Sequence, residues 1–116
     1  MDSPGSGATY WVKDGAIGGN QIQNGINARS TDASATTSLN AFAGRTVRLS
    51  AAITAARTVT EPVGVPIGTE ILYVRASTAT GASNWNIGSD ALTTPGTWLR
   101  KKLLGTNWTA IARGTT

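Results

Sequence analysis

The stretch TEILYVRAS, residues 69–77, decides how the rest of the chain is read. Ile71, Leu72, Tyr73 and Val74 are consecutive, so a strand built from them has no polar face to turn to water. β-Branched and aromatic side chains lose χ1 freedom in a helix and pack well on a pleated surface. A short apolar run of this kind therefore predicts a central strand covered on both sides.

Towards the amino terminus, VGVPIGTE (63–70) holds Pro66 and Gly68 and predicts a turn. Before it, AARTVTEP (55–62) predicts a short strand stopped by Pro62, and GRTVRLSA (44–51) alternates Val47 and Leu49 with Arg48 and Ser50. That alternation is the signature of a strand with one apolar face. Towards the carboxyl terminus, SNWNIGS (83–89) puts Trp85 and Ile87 on one face. TTPGTWLRKKLL (93–104) and NWTAIARG (107–114) flank Gly105-Thr106-Asn107, a hairpin signal. Trp108 and the small Ala110 and Ala112 that follow it are expected on the inward face of this closing strand. Short strands punctuated by Gly and Pro predict an all-β domain: a small antiparallel β-sandwich, jelly-roll-like, over residues 39–116.

Residues 1–38 have another texture, rich in Gly, Ser, Asn, Asp and Thr, with glycines at 15, 18, 19 and 25 breaking any period. Tyr10, Trp11, Val12, Ile17, Ile22 and Ile26 are spaced through it. Disordered tails are poor in such side chains, so an extended N-terminal arm that becomes ordered against a subunit or a larger particle is expected.

Composition bounds the rest. Of the 116 residues only 14% are charged and 40% are hydrophobic, Ala among the latter, with Thr, Gly and Ser making up much of the remainder. Small side chains bury little area each, and a domain of this size buries only about 60–65% of the surface its unfolded chain exposes. Cys and His are both absent, so neither a disulfide nor a structural zinc can add stability. Self-association is the remaining way to bury surface, and a homo-oligomer is expected. No apolar run approaches the length of about 18 residues that predicts a membrane span. The net charge of +4 comes from ten basic and six acidic residues, mostly scattered; such a balance suits nucleic acid or an acidic protein surface, and is equally that of a mildly basic soluble protein.

Conventional chemistry is sparse. Asp2, Asp14, Asp32, Glu61, Glu70 and Asp90 are isolated in sequence, and no Ser stands in a G-x-S-x-G elbow. The glycine-rich GAIGGNQIQNG (15–25) lacks the Gly-Lys-Ser/Thr that completes a phosphate loop. No catalytic residue, cofactor or metal is expected. Two binding candidates remain. Arg100-Lys101-Lys102 beside Trp98 suits an anionic partner, single-stranded nucleic acid included, although inhibition of edge-to-edge aggregation by cations explains the same run. Asn84, Trp85 and Trp98 offer the aromatic and amide groups on which sugars stack.

RTVTEPVGVPIGTEILYVRASTATGASNWNI (57–87), followed by LLGTNWTAIARG (103–114), resembles the distal β-domains of tailed-phage fibre, spike and head-decoration proteins. The matching positions are Arg57 to Thr60, Gly68, Ile71 to Val74, Asn86-Ile87 and Gly105 to Trp108, while Leu103-Leu104 and the Arg-Lys-Lys run depart from the pattern. The resemblance implies a homotrimer and a virion role without catalysis, and carries over no functional residue. A chain of 116 residues is short for a complete fibre, so the expectation is a capsid decoration or cement protein on the exterior of the phage head. Its arm would clamp neighbouring copies of the major capsid protein or another virion protein. A fibre tip binding host-surface glycan is the alternative.

Overall fold

The computed structural model describes residues 22–23, 26–40 and 46–116, with Ile22 and Gln23 as backbone only. Its strands are β1 (Ile22–Gln23), β2 (Ile26–Arg29), β3 (Thr37–Ser38), β4 (Thr46–Leu49), β5 (Arg57–Thr60), β6 (Glu70–Arg75), β7 (Trp85–Ile87), β8 (Asp90–Leu92), β9 (Thr97–Leu104) and β10 (Asn107–Thr115). A single 3-10 turn, Ala33–Ala35, is the only helical element among the described residues.

The strands form two packed sheets, one of order β1-β2-β4-β6-β9-β10 and one of order β3-β5-β7-β8. The all-β, two-sheet architecture is the one expected. The pairing within it is not uniformly antiparallel. From β2 to β7 the chain changes sheet at every strand, so each strand returns beside its predecessor in the same direction. The pairs β2–β4, β4–β6, β3–β5 and β5–β7 are parallel. The chain thus winds through stacked coils before reversing in the β7–β8 and β9–β10 hairpins. A parallel pair needs a long crossover, and here each crossover contains a strand of the opposite sheet. The coils are unequal. Ile26 pairs with Thr46 and Thr46 with Leu72, steps of 20 and 26 residues. In the other sheet Thr37 pairs with Val59 and Arg57 with Trp85, steps of 22 and 28. Unequal steps leave no sequence repeat to see.

The winding also corrects the arm boundary. Residues 26–38 contribute β2, the 3-10 turn and β3 to the two sheets, so they belong to the sandwich. Ile26 opens β2 and is partly exposed, and Ile22 lies in β1 against β2. Tyr10, Trp11, Val12 and Ile17 lie outside the described residues.

The inner faces meet in a core of Val47, Leu49, Ile71, Tyr73 and Leu99 from the large sheet and Val59, Trp85, Ile87 and Leu92 from the small one. Trp85, a candidate sugar platform in the sequence, is fully buried. Its ring meets Tyr73 edge-on at 6.3 Å between centroids, and its indole N–H donates to the Ala35 carbonyl at 2.9 Å. The alternation that put Trp85 beside Ile87 was the better guide, since both face inward.

A second large buried side chain is a cation. Arg75 has no exposed surface, and its guanidinium donates to the carbonyls of Ala79, Gly81, Ser83 and Leu92 at 2.9–3.1 Å. Three of those acceptors lie in the irregular segment between β6 and β7, where no ladder satisfies the backbone. Arg75 does that work as a planar, many-donor hub.

Removing the Trp85 ring leaves a cavity between the sheets that surrounding strands can fill only in part. Trp85→Ala is expected to lower unfolding free energy by about 3–5 kcal/mol, measured by urea denaturation; a loss below about 1 kcal/mol would show that the ring is not in the core.

Candidate functional site

Alternation along β9 turns Leu99, Lys101 and Leu103 inward and Trp98, Arg100 and Lys102 outward. The Arg-Lys-Lys run is therefore not one surface. Lys101 is completely buried, with Nζ 2.9 Å from Glu61 Oε1 and 3.0 Å from Asp90 Oδ2, and it donates to the Ile87 carbonyl at 3.0 Å. Arg100 and Lys102 lie on the opposite face, half-exposed, and both approach Glu70 at 3.6 and 3.9 Å. Exposed pairs of this length contribute little.

Both carboxylates reach Lys101 from the small-sheet side of the sandwich. Glu61 follows β5 directly, and Asp90 opens β8 after the Gly88-Ser89 turn. Gly88 has φ +59, and a Cβ there would collide with the Glu61 carboxylate. Glycine is therefore needed twice over, for the turn and for the close approach. On the far side, Arg113 of β10 places Nη2 3.8 Å from Asp90 Oδ1. A bulge between Ala110 and Ala112 sets this register. Trp108 and Ala110 pack on the core before the bulge, as expected. After it Ala112 is exposed, and Arg113, opposite the inward Leu99, takes the inner face instead.

The electrostatics are those of a crowded, partly dry site. Burial pushes the Glu61 carboxyl above its usual range, outweighing the opposite pull of the Lys101 ammonium. Glu61 Oε2 and the Tyr73 hydroxyl are buried without a hydrogen-bond partner among the described residues. Burial, together with the charge of Glu61, also raises the Tyr73 phenol. Among the described residues no group of three or more His, Cys, Asp and Glu side chains is placed to hold a metal ion.

Two surface features complete the inventory. The Trp98 indole lies on Gly114, whose missing Cβ leaves room for the ring. With Arg113 and the threonines at 93, 94, 97 and 115 it lines an open cleft of about 260 Å³. Asn84 is exposed, but Trp85 is internal, so the expected platform of Asn84, Trp85 and Trp98 is not assembled. At the other end of β9 the 62–68 loop and the Gly105-Thr106 turn enclose a cleft of about 310 Å³. Its walls include Val63, Ile67, Leu103 and Trp108, whose indole donates to the Pro62 carbonyl at 3.1 Å. Val63 and Ile67 are 88% and 72% exposed.

The Lys101 site was readable in principle. Lys101 shares its parity with Leu99 and Leu103, and Glu61 shares its parity with Val59; a charge on the apolar parity of a strand signals an internal pair. Asp90 had no such mark, because only the β7–β8 hairpin brings it round.

No protein-family model, curated protein or solved structure matches this chain.

Asp32, paired with Arg57 at the start of β5, gives the fold a pH dependence of known sign. Hydrogen bonds from the Arg57 Nε–H, at 2.9 Å, and from Thr54 pull its carboxyl down to about 2. The folded state thus favours the carboxylate, so this contribution is whole above the unfolded carboxyl range of about 4 and is lost as pH falls towards 2. Asp32→Asn is expected to flatten the fall of the melting temperature across that interval, and an unchanged slope would contradict the assignment. Gly88→Ala is expected to destabilise the chain by more than about 1 kcal/mol, read by chemical denaturation.

Proposed function

We propose that this chain is a structural assembly protein of a phage virion: a homotrimeric decoration or cement protein on the head exterior that catalyses no reaction on other molecules. The virion assignment rests on the sequence resemblance. The observation that best supports an assembly role is the exposed apolar loop Val63–Ile67 beside the Leu103–Trp108 cleft. Soluble monomers seldom leave neighbouring aliphatic side chains so bare unless a partner covers them. The long outer edge of β10 ends the large sheet and carries a single charge, the half-exposed Arg113. Such an edge invites pairing with another chain. Trimerisation through these surfaces leaves the arm residues Tyr10, Trp11, Val12 and Ile17 for the capsid partner. Burial of their apolar area contributes about 25 cal/mol per Å², and three linked arms bind more tightly than one.

The Trp98 cleft favours a second reading, a fibre-tip domain for host glycan, because an indole beside several hydroxyls and a guanidinium is suited to a sugar. The nucleic-acid alternative is weaker, since Lys101 is withdrawn from the basic run.

Light scattering over a wide concentration range is expected to give a constant trimer mass, and Val63→Asp combined with Ile67→Asp to lower it with the circular dichroism spectrum unchanged. A wild-type monomer would overturn the assembly reading, and glycan binding lost with Trp98→Ala would favour the fibre tip.

A further inference from the structure

We propose that the Lys101 amine and the Asp90 carboxyl condense into an amide within the folded chain, with Glu61 as the proton carrier. The three groups meet as such a step requires. Lys101 Nζ is 3.0 Å from Asp90 Oδ2 and 2.9 Å from Glu61 Oε1, with its side chain fully buried and that of Glu61 only 10% exposed. Reacting groups held this close behave as if at effective concentrations of about 10⁵–10⁸ M.

The step balances without any added reagent. The ammonium gives one proton to Asp90 Oδ2 along their hydrogen bond, leaving a neutral amine facing a neutral carboxylic acid. Nζ then attacks Asp90 Cγ, the C–N bond forms, and charge gathers on Oδ1, the oxygen beside the Arg113 guanidinium. Glu61 Oε1 takes a second proton from the nitrogen and returns it to the Oδ2 hydroxyl. The Cγ–Oδ2 bond breaks and one water departs. Asp90, at 27% exposure, opens to solvent and offers the water a way out. The net charge of the trio is the same before and after, but the buried ammonium and one carboxylate have become a neutral amide. Its N–H still faces Glu61. Because burying charges is costly even when they are paired, the site favours the product.

The geometry supports the roles independently. Burial holds the Glu61 carboxyl above its usual range, which suits a group that must accept and release a proton. Glycine at 88 keeps the Glu61 carboxylate within reach. The product joins β9 of the large sheet to β8 of the small one, a covalent bond between sheets in a chain without cysteine.

The intact mass of the purified full-length chain, recorded under denaturing conditions, tests this directly. The expected mass is that of the sequence less one water, with trypsin leaving Asp90 joined to Lys101 and releasing residues 58–75 unmodified. Glu61→Gln and Asp90→Ala are each expected to restore the full sequence mass. A wild-type chain at full mass overturns the proposal and leaves an ordinary buried ion pair. A bond mapped to Glu61, or water loss that survives in Glu61→Gln, overturns the assigned roles.

Discussion

One nitrogen atom constrains this sandwich more than any other. The Lys101 ammonium sits inside the large sheet's inner face and draws its partners from across the interface: the carboxylate after β5, the carbonyl that ends β7, and the carboxylate that opens β8. A buried charge without partners is far more costly than an apolar residue in the same place, and removing one partner of such a pair typically costs about 3–5 kcal/mol. The small sheet therefore has to arrive in one register, with Gly88 clearing the way for Glu61. Much of what looks irregular nearby, including the tight β7–β8 turn and the bulge that sets Arg113 beside Asp90, serves this meeting.

Arg75 plays the matching part at the other end of the sandwich, satisfying four carbonyls from a single buried fork. The two cations answer the problem set by composition. A core in which alanine stands beside Trp85 and Tyr73 is thin, and the chain has no cysteine with which to reinforce it. Directional polar contacts supply the order that aliphatic bulk does not. Winding in coils helps as well, because each strand from β4 to β7 finds neighbours from other turns of the chain, leaving β10 as a long outer edge.

Much of the fold was legible locally. The apolar run at Ile71–Val74 became the strand between β4 and β9, Val47 and Leu49 point inward, and the hairpin turns at Gly105-Thr106. What local pattern could not carry was direction. Turn residues between short strands look the same whether the chain doubles back or crosses to another sheet, and coils of unequal length leave no period. The site was half legible: parity marked Lys101 and Glu61, while tertiary pairing brought Asp90 and Arg113. Trp85 was misjudged as a platform because Ser83, Asn84 and Asn86 around it have surface character. Arg75, whose guanidinium holds the carbonyls of Ala79, Gly81 and Ser83, draws that stretch inward, a long-range matter.

The interior holds the two sheets together, while the exposed Val63–Ile67 loop, the outer edge of β10 and the Trp98 cleft face outward. The inward placement of Lys101 underlies this account, and native-state acylation with a small amine-reactive reagent tests it most directly. Lys101 and Lys102 are neighbours in sequence on opposite faces of β9, so one peptide map reports both. Lys102 is expected to be modified promptly and Lys101 to stay protected until the chain is unfolded or, if the amide has formed, even afterwards. Modification of Lys101 at the rate of Lys102 in the folded protein would contradict it.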